Sequence, residues 1–118
     1  FRVTPYGVER AESVERLLAV PRTAPQRVIS AQEAAAMRQM LAAVVQSGTG
    51  RAAAVRGRAV GGKTGTTQDS RDAWFIGIAE PLVIGVWLGN DDASPMEEVS
   101  GGTLPARLFH EILEDITP

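Results

Sequence analysis

Seven consecutive residues, Gly61-Gly62-Lys63-Thr64-Gly65-Thr66-Thr67, bring a cation together with three hydroxyls and three glycines. Lys63 is the only lysine in the chain, every other basic residue being arginine. That marks a position where a compact ammonium on a flexible stem is wanted rather than a planar guanidinium fork. Two chemistries fit the stretch. As a phosphate site, Gly57-x-x-x-x-Gly62-Lys63-Thr64 matches the P-loop pattern, and Val83 to Asp91 imitates an apolar strand ending in a magnesium-binding Asp. A P-loop needs a buried strand before its first glycine and a helix opening at the Lys-Thr pair, so that amides and the helix N-terminus meet the phosphates. Here Arg51-Ala52-Ala53-Ala54-Val55-Arg56, bracketed by charge, stands before Gly57, and Gly65, Thr66, Thr67, Asp69 and Ser70 follow, all poor helix formers. Read as a strand, the residues suit another task. Lys63 and Gly65 then face one way and Thr64 and Thr66 the other, and Gly65 leaves room for a second backbone alongside. An edge strand so built can pair with an extended peptide through main-chain hydrogen bonds. Lys63 offers positive charge, the threonine hydroxyls offer donors to a carboxylate, and the Thr66 N–H can donate to an oxyanion, the largest usual contribution in acyl transfer.

Around this stretch, several elements can be read. Ser30-Ala31-Gln32-Glu33 is a capping box, and Ala34, Met37, Leu41, Val44 and Val45 follow at helical spacing, which predicts a helix from about Ala31 to Ser47. Gly48 is placed to end that helix in a left-handed conformation, and Met37 and Met40 read as core filler on it. Asp72 to Ala79 and Leu82 to Gly89, divided by Glu80-Pro81, predict adjacent antiparallel strands. Both parities are apolar, Trp74, Ile76 and Ile78 against Ala73, Phe75 and Ala79, so both faces of the sheet call for a cover of helices. Thr103 and Pro105 open a last helix with Leu108, Phe109, Ile112, Leu113 and Ile116 on one face. His110 falls off that stripe and reads as an exposed helix residue rather than a catalytic base. The chain thus divides into a hairpin and connector over 1–25, a helix over 30–48, three antiparallel strands over 57–90 and a C-terminal helix over 103–116. Over residues 1–20, Val8, Ala11, Val14, Leu17 and Leu18 also fit a helical stripe, but strands around a polar turn at Glu12-Ser13 are the preferred reading. The connector runs from Pro21 to Pro25.

With 118 residues, 44% of them apolar, the chain has the size of one ordinary domain. Its net charge of −2, with basic and acidic residues interleaved, argues against a nucleic-acid partner. The absence of cysteine excludes disulfides and cysteine-ligated metals. No cofactor is expected: Asp91, Asp92, Glu97 and Glu98 match no cation-ligand spacing and read as a solvated loop. The longest apolar run, Leu82 to Leu88, is too short to span a bilayer. Phe1-Arg2-Val3-Thr4-Pro5 looks like neither a signal peptide nor a translation start, so the chain reads as one cut from something longer.

Lys63-Thr64-Gly65-Thr66 resembles the KTG(T) motif of the penicillin-binding proteins and serine β-lactamases. The likeness extends through Asp72-Ala73-Trp74-Phe75-Ile76-Gly77, Gly85-Val86-Trp87-Leu88-Gly89-Asn90-Asp91-Asp92, Pro95-Met96 and Gly101-Gly102-x-Leu104-Pro105-Ala106. Together with Val44-Val45-x-x-Gly48-Thr49-Gly50, these residues are similar to the end of the transpeptidase domain of class A, bifunctional penicillin-binding proteins, over about residues 28–115. The resemblance implies a mixed α/β (α+β) fold with a central antiparallel sheet covered by helices on both faces. It also implies action on peptidoglycan stem peptides ending in D-Ala-D-Ala, inhibition by β-lactams, and a place on the extracytoplasmic, periplasmic side of a bacterial inner membrane. By the same resemblance, Lys63, Thr64, Gly65 and Thr66 bind substrate. Lys63 and Thr64 also tune proton transfer, and Thr66 lends its N–H to the oxyanion hole.

The departures are equally specific. The family's nucleophile lies in S-x-x-K, and residue 60, three before the sole lysine, is Val60. The S-x-N motif is absent too, because Asn90 is the only asparagine and residue 88 is Leu88. The chain therefore reads as the C-terminal portion of one transpeptidase domain, supplying the KTGT wall without the nucleophile and inert alone. Its expected partner is the remainder of the domain, with S-x-x-K and S-x-N and the segments that cover the second sheet face; a glycosyltransferase domain and an anchor are expected upstream. The rival from another class is a non-catalytic module that binds peptidoglycan or a partner along the Lys63 edge. A P-loop-type nucleotide binder is the third reading.

Overall fold

The computed structural model describes residues 2–3, 10–12, 17–19 and 24–116. The chain separates into two compact units, Phe1–Ala36 and Met37–Pro118. In the first, β1 (Arg2–Val3) pairs antiparallel with β4 (Gln26–Arg27), and β2 (Arg10–Glu12) with β3 (Leu17–Ala19). Of the hairpin and connector read over 1–25, residues 1, 4–9, 13–16 and 20–23 lie outside the described residues.

Helix α1 (Ala31–Gln46) opens on a reciprocal capping box. The Glu33 N–H donates to Ser30 Oγ at 3.2 Å, and the Ser30 N–H donates to the Glu33 carboxylate at 2.7 Å. Ser30→Ala should cost about 1 kcal/mol, read from thermal melts followed by circular dichroism. The side chain and then the backbone of Ser30 hold the Glu33 carboxyl below its ordinary value. A depressed carboxylate stabilises above its unfolded value and stops doing so as pH falls through the folded one. The box should therefore be intact at neutral pH and lost on acidification through the carboxylate range. Glu33→Gln should weaken that acid-dependent component in melts compared at pH 6 and 3; an identical acid loss in the variant would contradict it.

Two expectations for α1 need correction. Gly48 is not left-handed: its N–H bonds the Val44 and Ala43 carbonyls, and the lone glycine with positive φ among the described residues is Gly57. What excludes a side chain at 48 is crowding, since a Cβ there would stand 2.9 Å from Val44 Cα. Met37 and Met40 are exposed, not core, at 50% and 57%. Within the second unit, α1 is seated through Val45, Leu41 and Val44 near its C-terminal end, one turn beyond the methionines.

A short 3-10 turn (Arg51–Ala53) buries Ala53 and leads to β5 (Gly61–Thr66), β6 (Asp72–Ala79) and β7 (Leu82–Gly89), an antiparallel sheet in that order. Along β6, burial alternates with the pleat: Ala73, Phe75, Gly77 and Ala79 are buried, whereas Trp74 and Ile76 are exposed. Helix α2 (Leu104–Asp115) covers the buried face with Phe109, Leu113 and Ala106, each fully buried. Phe109 meets Phe75 edge-on at 5.1 Å, and the Phe109 ring fills the space where Gly77 lacks a side chain, 2.2 Å from where a Cβ would stand. Thr103 precedes α2, yet its hydroxyl caps nothing on the helix and donates instead to the Ser100 carbonyl at 2.9 Å. The opposite sheet face, carrying Trp74, Ile76, Val83 and Trp87, is apolar and 43–64% exposed. Helices thus cover one face among the described residues, as expected of a chain that lacks the segments covering the other.

Candidate active site

Strand β5 lies at the edge of its sheet and pairs only with β6 among the described residues. Threonine favours an extended backbone, glycine disfavours a helix, and no apolar stripe here calls for one. The register sets Lys63 opposite Ile76, Thr64 opposite Phe75, Gly65 opposite Trp74 and Thr66 opposite Ala73. Directly opposed residues share a face, so Lys63 and Gly65 stand on the open apolar face, while Thr64 and Thr66 stand on the face that α2 covers. No helix opens at Lys63-Thr64, and a second strand follows within six residues of Thr66. A phosphate cradle of the P-loop kind needs that helix N-terminus, and the nucleotide reading fails on its absence.

Lys63 is exposed, and its Nζ donates to the Thr64 carbonyl at 2.8 Å. Thr64 is half-buried, with its Oγ1 2.8 Å from the Oγ1 of Thr49. The Thr66 hydroxyl accepts the Gly101 N–H at 3.0 Å. Gly101 itself is pressed onto the strand pair: a Cβ there would stand 2.2 Å from the Trp74 carbonyl oxygen and 2.6 Å from that of Gly65. The four KTGT residues are thus gathered on one strand, but their side chains divide between two faces and two sets of neighbours. Thr49 and Gly101 were not singled out as site residues from the sequence. The available signal was their setting in the small-residue runs Gly48-Thr49-Gly50 and Gly101-Gly102.

The turn after β5 is held by Thr67 and Asp72. The Thr67 N–H donates to the Asp72 carbonyl at 3.0 Å, and the Asp72 N–H to Thr67 Oγ1 at 2.8 Å. Between them Asp69 and Ser70 adopt positive φ of 59° and 52°, a conformation that short polar side chains tolerate best. The Asp72 carboxylate also accepts Trp87 Nε1–H at 3.0 Å, and the Trp74 and Trp87 rings lie 6.2 Å apart on the open face.

The acidic loop is held by its own side chains. Asn90 Nδ2 donates to the Ser94 hydroxyl and carbonyl, and the Ser94 N–H donates to Asp92, whose carboxyl is held below its ordinary value by the side chain and then the backbone of Ser94. Among the described residues no three His, Asp or Glu side chains gather as a metal site. His110 is half-buried rather than exposed, because its Nδ1 donates to the Ala54 carbonyl at 2.7 Å and ties α2 to the 3-10 turn. It is engaged in this structural bond, with Nε2 3.4 Å from the Glu114 carboxylate, and is no candidate base.

The model for the penicillin binding protein transpeptidase domain matches residues 1–114. Penicillin-binding protein 1A of Aquifex aeolicus is 42% identical over 79 residues, which cover 66% of this chain and 11% of that protein. Among solved structures, a putative peptidoglycan glycosyltransferase from Atopobium parvulum aligns with a TM-score of 0.64 at 26% identity, over 85% of this chain and 25% of that one. The D,D-transpeptidase domain of a peptidoglycan glycosyltransferase from Eggerthella lenta aligns with a TM-score of 0.53 at 30% identity, over 80% of this chain and 24% of that one. The chain therefore spans about a tenth of the curated relative's length and a quarter of each solved chain.

Proposed function

Because the chain belongs to the penicillin-binding protein transpeptidase family, we propose that β5 is one wall of a serine-type D,D-transpeptidase site acting on peptidoglycan stem peptides. The observation that carries this reading is the placement of Lys63-Thr64-Gly65-Thr66 on a strand whose second edge has no partner among the described residues. A stem peptide ending in D-Ala-D-Ala lies along that edge in extended form. Lys63, Thr64 and Thr66 receive its terminal carboxylate, Gly65 admits its backbone, and the Thr66 N–H faces the developing oxyanion. A serine hydroxyl attacks the penultimate carbonyl carbon. Its proton passes to the leaving amine, D-Ala departs, and an amine from a neighbouring stem attacks the ester and restores the hydroxyl. β-Lactams acylate the same serine.

That serine is not in this chain, which has no S-x-x-K and no S-x-N. The remainder of the domain brings it, and the open face with Trp74, Ile76 and Trp87 is where that remainder docks, because Lys63 projects from the same face. Burying such a face removes the large apolar area that the chain leaves in water. A glycosyltransferase domain and an anchor on the extracytoplasmic side of the membrane complete the proposed parent. No helix among the described residues is long and apolar enough to cross a membrane.

The test is labelling by a fluorescent penicillin followed by denaturing electrophoresis. The parent enzyme should carry a covalent band, and this chain expressed alone should carry none. Covalent labelling of the isolated chain would overturn the assignment of the nucleophile to another segment. Reversible binding of cell-wall fragments by this chain, with an unlabelled parent, would favour a non-catalytic module.

A further inference from the structure

Two short loops meet under Thr64 and Thr66, on the face opposite to Lys63. One is Gly48-Thr49-Gly50, one residue after the end of α1; the other is Ser100-Gly101-Gly102, one residue before the start of α2. Thr49 Oγ1 lies 2.8 Å from Thr64 Oγ1, and the Gly101 N–H donates to Thr66 Oγ1 at 3.0 Å. The loops also press on each other, since a Cβ on Gly102 would stand 2.2 Å from the Thr49 carbonyl oxygen. We propose that these loops are a positioning device for the site, in which the Thr49 hydroxyl orients that of Thr64 and the Gly101 amide orients that of Thr66. The inference rests on the carboxylate-binding role proposed above for the two threonines.

The chemistry follows from what a hydroxyl can do. It carries one proton and two acceptor lone pairs, and its rotor turns freely unless something holds it. The Gly101 N–H occupies a lone pair of Thr66, so the Thr66 proton stays free to donate to an anion. When Thr49 donates to Thr64, the Thr64 proton is released in the same way. Two donors oriented before the substrate arrives spare the ordering cost at binding, and donors held in place help most where charge must be met. Thr49 touches no substrate in this scheme and is a positioning residue, not a catalytic one.

The test uses the full-length parent enzyme and measures second-order acylation rates for a penicillin with its free carboxylate and for the methyl ester of the same penicillin. Thr49→Val removes the hydroxyl at nearly constant shape. It should slow acylation by the free acid about three- to tenfold, the scale of one hydrogen bond. Thr49→Ser should restore the rate to within about twofold, and the ester should react equally with wild type and Thr49→Val. In a Thr64→Val background, adding Thr49→Val should change nothing further, because the partner is already gone. Equal losses for acid and ester, independent multiplication of the two effects, or an unchanged rate with the acid would each overturn the proposal. Lys63→Ala in the same assay separates the two levels. Wild-type acylation by Lys63→Ala would remove the site reading itself, whereas loss there with a normal Thr49→Val would remove only the positioning role.

Discussion

Lys63→Ala in the parent enzyme is expected to slow acylation by a β-lactam between about a hundredfold and ten-thousandfold, the usual range for the proton-transfer role that the family resemblance implies for it. The substitution removes the only lysine of the chain from the exposed edge strand. It also removes the sole cation on the KTGT segment, so the incoming carboxylate loses a charge-assisted bond of about 1.5–3 kcal/mol. Lys63→Arg is the informative companion. It keeps the charge but presents a planar fork where a compact ammonium reaches the Thr64 carbonyl at 2.8 Å, and it should recover only part of the rate. Stopped-flow labelling with a chromogenic β-lactam reads both variants. Unchanged kinetics in Lys63→Ala would remove Lys63 from the chemistry. The fold should survive either change, because the side chain is exposed and buries nothing.

The largest expected effect on stability lies on the other face of the sheet. Phe109→Ala should destabilise by about 3–5 kcal/mol, measured by denaturant unfolding. The ring is fully buried, contacts Phe75 edge-on, and occupies the space that Gly77 leaves open. Its loss removes transfer energy and leaves a cavity that a glycine and a rigid strand cannot close. A cost below about 1 kcal/mol would mean that α2 and the sheet repack freely, contrary to the close approach seen at Gly77. Because β5 pairs directly with β6, whose Phe75 and Gly77 pack on Phe109, loosening this contact should also lower acylation without altering its dependence on the substrate carboxylate.

Much of this could be read from one dimension. The capping box at Ser30 and Glu33 is a four-residue signal, and both of its bonds are made. The split at Glu80-Pro81 separates β6 from β7, since each run is apolar and of strand length. The poor helix formers after Lys63 set a strand against a P-loop, and β5 is a strand. What misled were inferences about partners. Met37 belongs by spacing to an apolar stripe and Met40 read with it as core filler, yet only the C-terminal half of that stripe is seated in the second unit. Gly48 looked like a left-handed stop, whereas contact with the Val44 backbone is what bars a side chain. Thr103 looked like a cap, but its hydroxyl turns back to Ser100.

The sequence by itself determined the family, the KTGT segment and the absence of S-x-x-K and S-x-N, because these depend on residue identity and short spacing alone. It also determined that Lys63 and Gly65 oppose Thr64 and Thr66, because alternation is built into any extended backbone. Only the tertiary structure decided which face α2 covers, that the threonines stand on that face, and that Thr49 and Gly101 hold them across 15 and 35 residues of chain. Those contacts join loops at the ends of two helices to an edge strand. Their partners are chosen by packing at long range, which no local period in the sequence encodes.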